Sequence, residues 1–174
     1  MRYPEAARLL AGWDRRGRSV FLKRDLAKVF DEGGKTLDQT LRRLVAAGLL
    51  ERAAHGVYLY ALSTNLGVSA LEEVALALRR GEHVFESYES ALSQWGRISQ
   101  VPVDRMTLAT TGRKGVFRTR LGVIEFTHTA AEPAEITANT VDRPGHVIPI
   151  ATEAYAMSGL RRVGRNLDLI DQGV

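Results

Sequence analysis

The residues between positions 35 and 46 combine types and spacing suited to binding a polyanion. Their apolar members recur at i, i+4, i+7 and i+8, as on the buried stripe of an amphipathic helix: Leu37, Leu41, Leu44 and Val45. The opposite face carries hydrogen-bond donors and no bulky apolar side chain: Lys35, Thr36, Gln39, Arg42, Arg43 and Ala46. Such donors serve phosphate oxygens and base edges, so the pattern favours nucleic-acid recognition.

The roles of single residues on this face depend on where the helix begins. If Thr36 is the N-cap, Gln39 reaches back to it in a capping box and is occupied locally. If the helix begins nearer Gly34, Gln39 is free to read adenine. Arg42 and Arg43 can serve phosphates or guanine. Phosphate contact is the expected role of Arg43, because most protein–DNA hydrogen bonds go to the backbone.

The elements before this helix predict a helix-turn-helix. Apolar spacing at residues 6–13 and 26–30 predicts two helices, with a short strand at residues 19–21 between them. Residues 31–34 read Asp-Glu-Gly-Gly and interrupt the second helix just before the candidate recognition helix. The three helices together would form a small core.

A predicted hairpin follows, as a winged helix-turn-helix requires. Gly48 is a suitable helix C-cap, and residues 49–52 and 57–60 are typical of two short strands. Arg52 and His55 lie on this predicted wing and are further candidates for DNA contact.

Charge is concentrated in the same region. Residues 1–60 hold 12 Lys and Arg against 7 Asp and Glu, a net charge of +5, whereas the remainder has a net charge of −1. A basic domain joined to a near-neutral one suits a polyanion-binding module. Lys23 and Arg24, at the start of the second helix, are either a clamp on the flanking DNA strand or ordinary surface charge. The alternative interpretation of the basic face at residues 35–46 is an ordinary helix surface exposed to solvent.

Composition is that of an ordinary globular protein. The chain has 174 residues, 45 % hydrophobic and 25 % charged, and no cysteine. The lack of cysteine removes disulfides and thiolate metal sites. The sequence contains no apolar run of about 18 residues and no signal-peptide pattern. We therefore expect a cytoplasmic protein without a membrane partner.

A polar stretch at residues 63–67 predicts a boundary between a DNA-binding domain at residues 1–62 and a second domain at residues 69–174. The second domain is predicted to combine helices with an antiparallel sheet, which makes the fold class α+β. The patterns predict helices at residues 69–81, 88–95 and 152–163, and strands at residues 83–85, 106–110, 116–120, 123–128 and 146–150.

The second domain also allows predictions about single contacts. A two-residue turn at residues 121–122 would set Phe117 opposite Phe126 in the core, and Arg118 opposite Glu125 as a cross-strand ion pair. The spacing of three residues on the 88–95 helix predicts a core stripe: Tyr88, Leu92 and Trp95.

Six basic residues in this domain are either a second patch for nucleic acid or an acidic partner, or scattered solvated charge: Arg113, Lys114, Arg120, Arg161, Arg162 and Arg165. Residues 112–115 read Gly-Arg-Lys-Gly. They match a phosphate loop only loosely, lack its spacing, and are interpreted as a turn between strands.

Catalytic motifs are missing from the sequence. It has no His-Glu-x-x-His zinc motif, no Gly-x-Ser-x-Gly elbow and no Walker phosphate loop. Its four histidines are widely separated. Glu86 and Glu89 could share a site, but two carboxylates on a surface are usually solvated, and this is the interpretation that we favour. We therefore expect a protein that is not an enzyme and needs no cofactor or metal.

Three segments of the second domain stand in an unusual order after a winged helix. They read Tyr-Glu-Ser-Ala-Leu-Ser-Gln-Trp-Gly at residues 88–96, Ile-Ser-Gln-Val-Pro at 98–102, and Met-Thr-Leu-Ala-Thr-Thr-Gly-Arg at 106–113. This order resembles the middle of bacterial AbiEi-type antitoxins, and the predicted winged helix-turn-helix is similar to theirs. The likeness runs from about residue 20 to residue 128.

The resemblance implies the antitoxin of a type IV toxin-antitoxin system. Such a protein represses its own operon by binding inverted repeats in double-stranded DNA, and it counters a nucleotidyltransferase toxin, for which stable direct binding is not generally implied. Two alternatives stay open. In the first alternative, the chain is a stand-alone winged-helix regulator. In the second, it is a protein-interaction module whose winged fold binds a protein partner.

Overall fold

The computed structural model describes residues 1–67, 69–99 and 104–170. Contacts within the chain divide it into two compact units, Met1–Leu78 and Arg79–Val174. Helices and sheets combine in an α+β architecture. No helix in the described ranges has both the length and the apolar character that crossing a bilayer would need.

The helices of the first unit are α1 Tyr3–Asp14, α2 Lys23–Phe30, α3 Gly34–Ala46 and α4 Ser69–Leu78. The first three each turn one apolar face inward, as their sequence spacing predicts. Together they bury a core that also takes in residues of the neighbouring strands: Ala6, Leu10, Phe21, Leu26, Phe30, Leu37, Leu41, Leu44, Leu49, Leu50, Tyr58 and Tyr60.

Short antiparallel strands complete this unit. They are β1 Val20–Leu22, β2 Leu50–Ala54 and β3 Val57–Tyr60, and among the described residues they form a sheet in the order β1-β3-β2. Strands β2 and β3 form a hairpin whose turn is His55-Gly56. Strand β2 is longer than predicted, since it continues to Ala54. The pairing of β2 with β3 is irregular after Arg52.

Asp14, the last residue of α1, anchors the polar stretch that follows β3. Ser19 Oγ donates to Asp14 Oδ1 at 2.8 Å, and the Ser63 hydroxyl donates to the same oxygen. Asn65 Nδ2 donates to the backbone carbonyl oxygen of Asp14 at 2.7 Å. Helix α4 then packs against β1 and β3. The first unit therefore continues through α4, beyond the boundary predicted at residues 63–67, because this stretch is tied to α1.

The second unit contains a mixed sheet. Within the described part of the chain six strands take part, in the order β6-β7-β5-β4-β9-β8. They are β4 Val84–Glu86, β5 Arg105–Thr110, β6 Gly115–Thr119, β7 Gly122–His128, β8 Thr140–Val141 and β9 Ile150–Ala151. Strand β5 runs parallel to β7, and β4 runs parallel to β9. The prediction of an antiparallel sheet is correct for the pairs β4–β5, β6–β7 and β8–β9. It is wrong for β5–β7 and β4–β9, because in each of these pairs the intervening chain returns so that the two strands run in the same direction.

Helices α5 Tyr88–Gln94, α6 Pro133–Ala138 and α7 Glu153–Val163 and a short 3-10 helix, Leu167–Leu169, accompany this sheet. Helix α5 packs against α7 and β5. The core between them is apolar: Phe85, Tyr88, Ala91, Leu92, Ile98, Ala109, Ile136, Ile150, Ala151, Ala156 and Leu160. Thr152 caps α7 by accepting a hydrogen bond from the Tyr155 backbone N–H.

The β6–β7 hairpin has a different register from the predicted one. Its turn lies at residues 120–121, so Phe117 opposes Ile124. Thr119 closes this turn, because its hydroxyl donates to the Gly122 carbonyl oxygen at 2.8 Å. The expected contact between aromatic rings still forms, with Phe117 and Phe126 edge to face at 5.9 Å between ring centroids, but on the diagonal.

The predicted ion pair between Arg118 and Glu125 is wrong for the same reason. Arg118 opposes Val123 in this register. Glu125 instead pairs with Arg105, at 2.6 Å from Nη1 to Oε2, and with Arg165. The carboxylate is thus held by two cations from outside its own hairpin.

The core stripe predicted on the 88–95 helix is correct for Tyr88 and Leu92 and wrong for Trp95. Helix α5 ends at Gln94, and the Trp95 side chain is 42 % exposed. Its indole N–H donates to the Ala151 carbonyl oxygen at 2.9 Å. The ring therefore lies at the edge of the core, where its polar atom has a partner.

Candidate nucleic-acid interface

Helix α3 begins at Gly34, earlier than a capping box at Thr36 would allow. Gly33 is its N-cap and supplies no side-chain hydrogen bond. Gly34 has a φ of 54°, in the left-handed region that favours glycine. Thr36 and Gln39 are consequently exposed in the first turns of the helix. Of the two starting points considered, the structure has the one that leaves Gln39 free of a capping role.

The buried stripe of α3 differs from the predicted one at a single position. Leu37, Leu41 and Leu44 are buried as expected, but Val45 is 36 % exposed and Thr40 is buried in its place. The Thr40 hydroxyl is a hydrogen-bond partner of the Glu32 carboxylate. A polar residue enters the stripe at a point where the partly buried Glu32 carboxylate lies beside it.

The outward face of α3 carries Lys35, Thr36, Gln39 and Arg42, all exposed. The Arg42 side chain follows the helix axis towards the N-terminus, where its Nε donates to the Asp38 carbonyl oxygen at 3.2 Å. These side chains form one continuous row along the helix. We call this row of Lys35, Thr36, Gln39 and Arg42 the α3 row.

Arg43 lies apart from the α3 row. Its guanidinium group donates to the carbonyl oxygen of Met1, whose ammonium group in turn pairs with Glu32. The hydrogen bond from that ammonium group holds the pKa of the Glu32 carboxyl below its usual value, against the effect of burial. Arg43 therefore points towards the first residue of the chain, and the structure does not group it with Arg42.

Lys23 joins three elements. Its ammonium group pairs with the carboxylate of Asp38 on α3, and its backbone N–H donates to the Gly56 carbonyl oxygen, in the hairpin turn, at 2.8 Å. Arg24, the next residue, is exposed. The start of α2, the outward face of α3 and the hairpin turn thus meet around Lys23.

The hairpin carries the remaining two predicted residues. Arg52 and His55 are both exposed, and Arg52 Nη2 donates to His55 Nδ1 at 3.0 Å. The two side chains form a small basic tip on the β2–β3 hairpin.

Sequence reasoning missed Asp38. This residue lies four positions before Arg42 on the outward side of α3, so a helical plot would have shown a carboxylate among the donors. Asp38 brings a negative charge to the middle of a surface that is otherwise basic, and Lys23 partly neutralises it.

The carboxylates interpreted as solvated in the second unit are in fact buried. Glu86 and Glu89 are each 5 % exposed. Glu86 pairs with Arg143, and Arg165 binds Glu89 through two bonds, from Nε to Oε1 at 2.9 Å and from Nη2 to Oε2 at 3.1 Å. The prediction of solvated carboxylates is wrong, because each carboxylate has an arginine partner contributed by a distant segment of this unit.

These pairs also divide the basic residues of the second unit. Arg165 is an internal counter-ion and so belongs to no free basic patch. Arg113, Lys114, Arg161 and Arg162 are exposed. Within the described ranges, no group of three or more His, Cys, Asp or Glu side chains is arranged to hold a metal ion.

Comparison with protein-family models gives no match, and no curated protein matches the sequence. Among solved structures, the chain is similar to the crystal structure of the RV2827C protein from Mycobacterium tuberculosis, with a TM-score of 0.55 and 19 % sequence identity. The match covers 81 % of this chain and 50 % of that one, so this chain spans about half the length of its structural neighbour. At this identity the likeness concerns the fold alone.

Proposed function

We propose that the first unit is a winged helix-turn-helix domain that binds double-stranded DNA. In this proposal α2 and α3 are the helix-turn-helix, α3 is the recognition helix, and the β2–β3 hairpin is the wing. The observation that carries the proposal is the α3 row: donor side chains lie exposed along one face of a helix whose other face is buried in the core.

The charge of the region supports binding to phosphates. Residues 1–60 have a net charge of +5, and a basic surface gains affinity for DNA by releasing counterions. Lys23, Arg24, Arg52 and His55 flank the α3 row from the start of α2 and from the hairpin. Their positions suit backbone contacts on either side of the groove that α3 would enter.

Roles within the row follow from side-chain chemistry. The Gln39 amide can bind the N6 and N7 edge of adenine, and the fork of Arg42 suits guanine or a phosphate. Lys35 and Thr36, in the first turn, are placed for phosphate contact close to the helix N-terminus. Arg43 is assigned a phosphate contact at the margin, because its side chain is turned towards Met1.

The resemblance of residues 88–113 to AbiEi antitoxins extends the proposal to regulation. We assign the chain to a cytoplasmic antitoxin that represses its own operon at inverted repeats and counters a nucleotidyltransferase toxin. A symmetric operator requires two copies of the domain, one on each half-site.

A reporter gene under the chain's own upstream region tests the repressor role in cells. Expression of the wild-type protein should lower reporter output, and a K35Q/R42Q variant should restore it. Equal output with the two proteins would reject autorepression through α3. Co-expression with a neighbouring nucleotidyltransferase-like gene tests the antitoxin role separately, since growth should recover only if the chain counters that product.

A further inference from the structure

The loop between β5 and β6 borders an open depression in the second unit. This depression has a volume of about 800 Å³ and is lined by Glu82, Thr111, Gly112, Arg113, Lys114 and His128. None of the residues that we propose to contact DNA lines this depression. The sequence pattern at this loop predicts only a turn.

Side chains from three directions hold the loop in place. Arg79 Nε donates to the Arg113 carbonyl oxygen at 2.8 Å, and His128 Nδ1 donates to the Gly112 carbonyl oxygen at 2.9 Å. The Thr111 hydroxyl donates to Glu82 Oε2 at 2.7 Å. Since a carbonyl oxygen only accepts, His128 carries its proton on Nδ1, and its Nε2 is not used by the loop.

Gly112 is the point at which the loop backbone packs most closely. A Cβ atom there would lie 2.9 Å from Glu82 Cγ and 3.1 Å from Arg79 Cδ. Only glycine fits without displacing these side chains. The close packing at Gly112 therefore fixes the backbone conformation at the rim of the depression.

The charge around the depression is positive. The Arg79 guanidinium lies behind the loop over the Phe126 ring, 4.2 Å from its centroid, and 5.2 Å from the centroid of Phe117. Arg113 and Lys114 are exposed at the rim, and within the described residues neither side chain has a hydrogen bond or ion pair. Glu82 is the one lining carboxylate in the described ranges, and it already accepts the Thr111 hydroxyl.

The Arg79 guanidinium is close enough to the charges of Arg113 and Glu82 to feel both. Burial lowers the pKa of Arg79, and the neighbouring charge of Arg113 lowers it further. An anion at the rim would accept hydrogen bonds from the exposed Arg113 fork and the exposed Lys114 ammonium.

We propose that this depression binds the phosphate groups of a nucleotide-sized small molecule. The volume lies within the range typical of small-molecule sites, about 300–1,000 Å³. Arg113 and Lys114 would bind the phosphates, with Arg79 behind them, and the His128 Nε2 edge would face the rest of the ligand. This site is independent of the α3 row and of its proposed function.

Isothermal titration calorimetry of the full chain with pyrophosphate, with ATP and with adenosine tests the proposal. The variant R113Q/K114Q removes both rim cations, and R118Q/R161Q removes two exposed arginines of the same unit as a matched control. All the substituted side chains are exposed, so each variant should keep the wild-type melting temperature, which is measured alongside.

We expect pyrophosphate and ATP to bind the wild-type protein and the R118Q/R161Q control alike. R113Q/K114Q should bind them at least about tenfold more weakly, the loss that one charge-assisted hydrogen bond entails. Adenosine should bind weakly or not at all. Similar affinities for pyrophosphate and ATP would show that the depression recognises the phosphates alone. Tighter binding of ATP would show that it also contacts the nucleoside. Absence of binding, or equal losses in R113Q/K114Q and R118Q/R161Q, would overturn the proposal.

Discussion

Lys23 at the start of α2 forms an ion pair with Asp38 in the middle of α3. The two side chains are each 44 % exposed, so solvent screens the pair and its contribution to stability is small. The more important consequence is electrostatic. Asp38 offsets positive charge on the surface that we propose to meet DNA, and it occupies an ammonium group that would otherwise be available to a phosphate.

Asp38→Asn should strengthen binding to DNA of any sequence. The change removes a negative charge and frees Lys23, so affinity for a scrambled duplex should rise several-fold and the salt slope should steepen by about one. Fluorescence anisotropy across a salt series measures both. Glu5→Gln, an exposed carboxylate on α1, is the control and should change neither. Unchanged or weaker binding by the Asp38 variant would remove this part of α3 from the interface.

Arg42 and Arg43 should contribute unequally, although they are neighbours in sequence. Arg42→Gln should weaken binding to the upstream DNA by about tenfold, as loss of a charge-assisted contact does. Arg43→Gln should cost less, because that side chain is directed to Met1. Anisotropy at a single salt concentration compares the two. A larger effect of the Arg43 variant would contradict the orientation proposed for α3.

The first unit was largely predictable from the sequence, because its signals are local. The spacing of Leu37, Leu41 and Leu44 located the buried face of α3. The pattern did not predict that Thr40 is buried and Val45 exposed. The Glu32 carboxylate beside Thr40 belongs to the segment before α3, so no pattern within α3 reveals it. The direction of Arg43 likewise depends on the first residue of the chain.

Asp14→Ala should destabilise the first unit. The Asp14 side chain is 8 % exposed and accepts hydrogen bonds from Ser19, Ser63 and Asn65, so its removal leaves several donors unpaired. We expect a loss of about 1–3 kcal/mol in the free energy of unfolding. Denaturant unfolding followed by circular dichroism measures it, with Glu5→Ala as the exposed control. A loss no larger than that of the control would contradict an anchoring role.

The stability that Asp14 provides should depend on pH. Burial alone would raise the pKa of this carboxyl, but the hydrogen bonds from Ser63, Ser19 and Asn65 outweigh it and lower the pKa below 3.8. A lowered pKa in the folded state means that the contribution is complete above the ordinary pKa and is lost as pH falls. The difference in stability between the wild type and Asp14→Ala should therefore be constant from pH 7 to 5 and shrink in acid. A difference that grows as pH falls would contradict this sign.

Glu89→Gln should destabilise the second unit more than Glu153→Gln. Glu89 is buried and binds Arg165 through two bonds, whereas the pair of Arg97 and Glu153 is 48 % and 43 % exposed. Breaking the buried pair should cost about 3 kcal/mol, and breaking the exposed pair less than about 1 kcal/mol. Thermal unfolding of the two variants compares them directly. Equal losses would show that the Glu89 carboxylate is dispensable to the core.

The second unit was less predictable, because its decisive contacts join distant segments. The partners of Glu86 and Glu89, Arg143 and Arg165, lie more than 50 residues away in the chain. Strand β6 lies at the edge of the sheet, and β7 returns from it to lie beside β5, so that β5 and β7 run parallel. Strand periodicity does not encode this order. Alternation of apolar and polar residues predicted where β6 and β7 lie. Their register depends on the turn, where the Thr119 hydroxyl donates to the Gly122 carbonyl oxygen.

Fluorescence anisotropy of the purified protein on its own upstream DNA and on a scrambled duplex, each across a salt series, tests the central proposal most directly. The proposal predicts tight binding that prefers the upstream DNA, with a steep salt slope that flattens in K35Q/R42Q. Equal weak binding to the two duplexes, or none, would contradict a regulator that binds this DNA through α3.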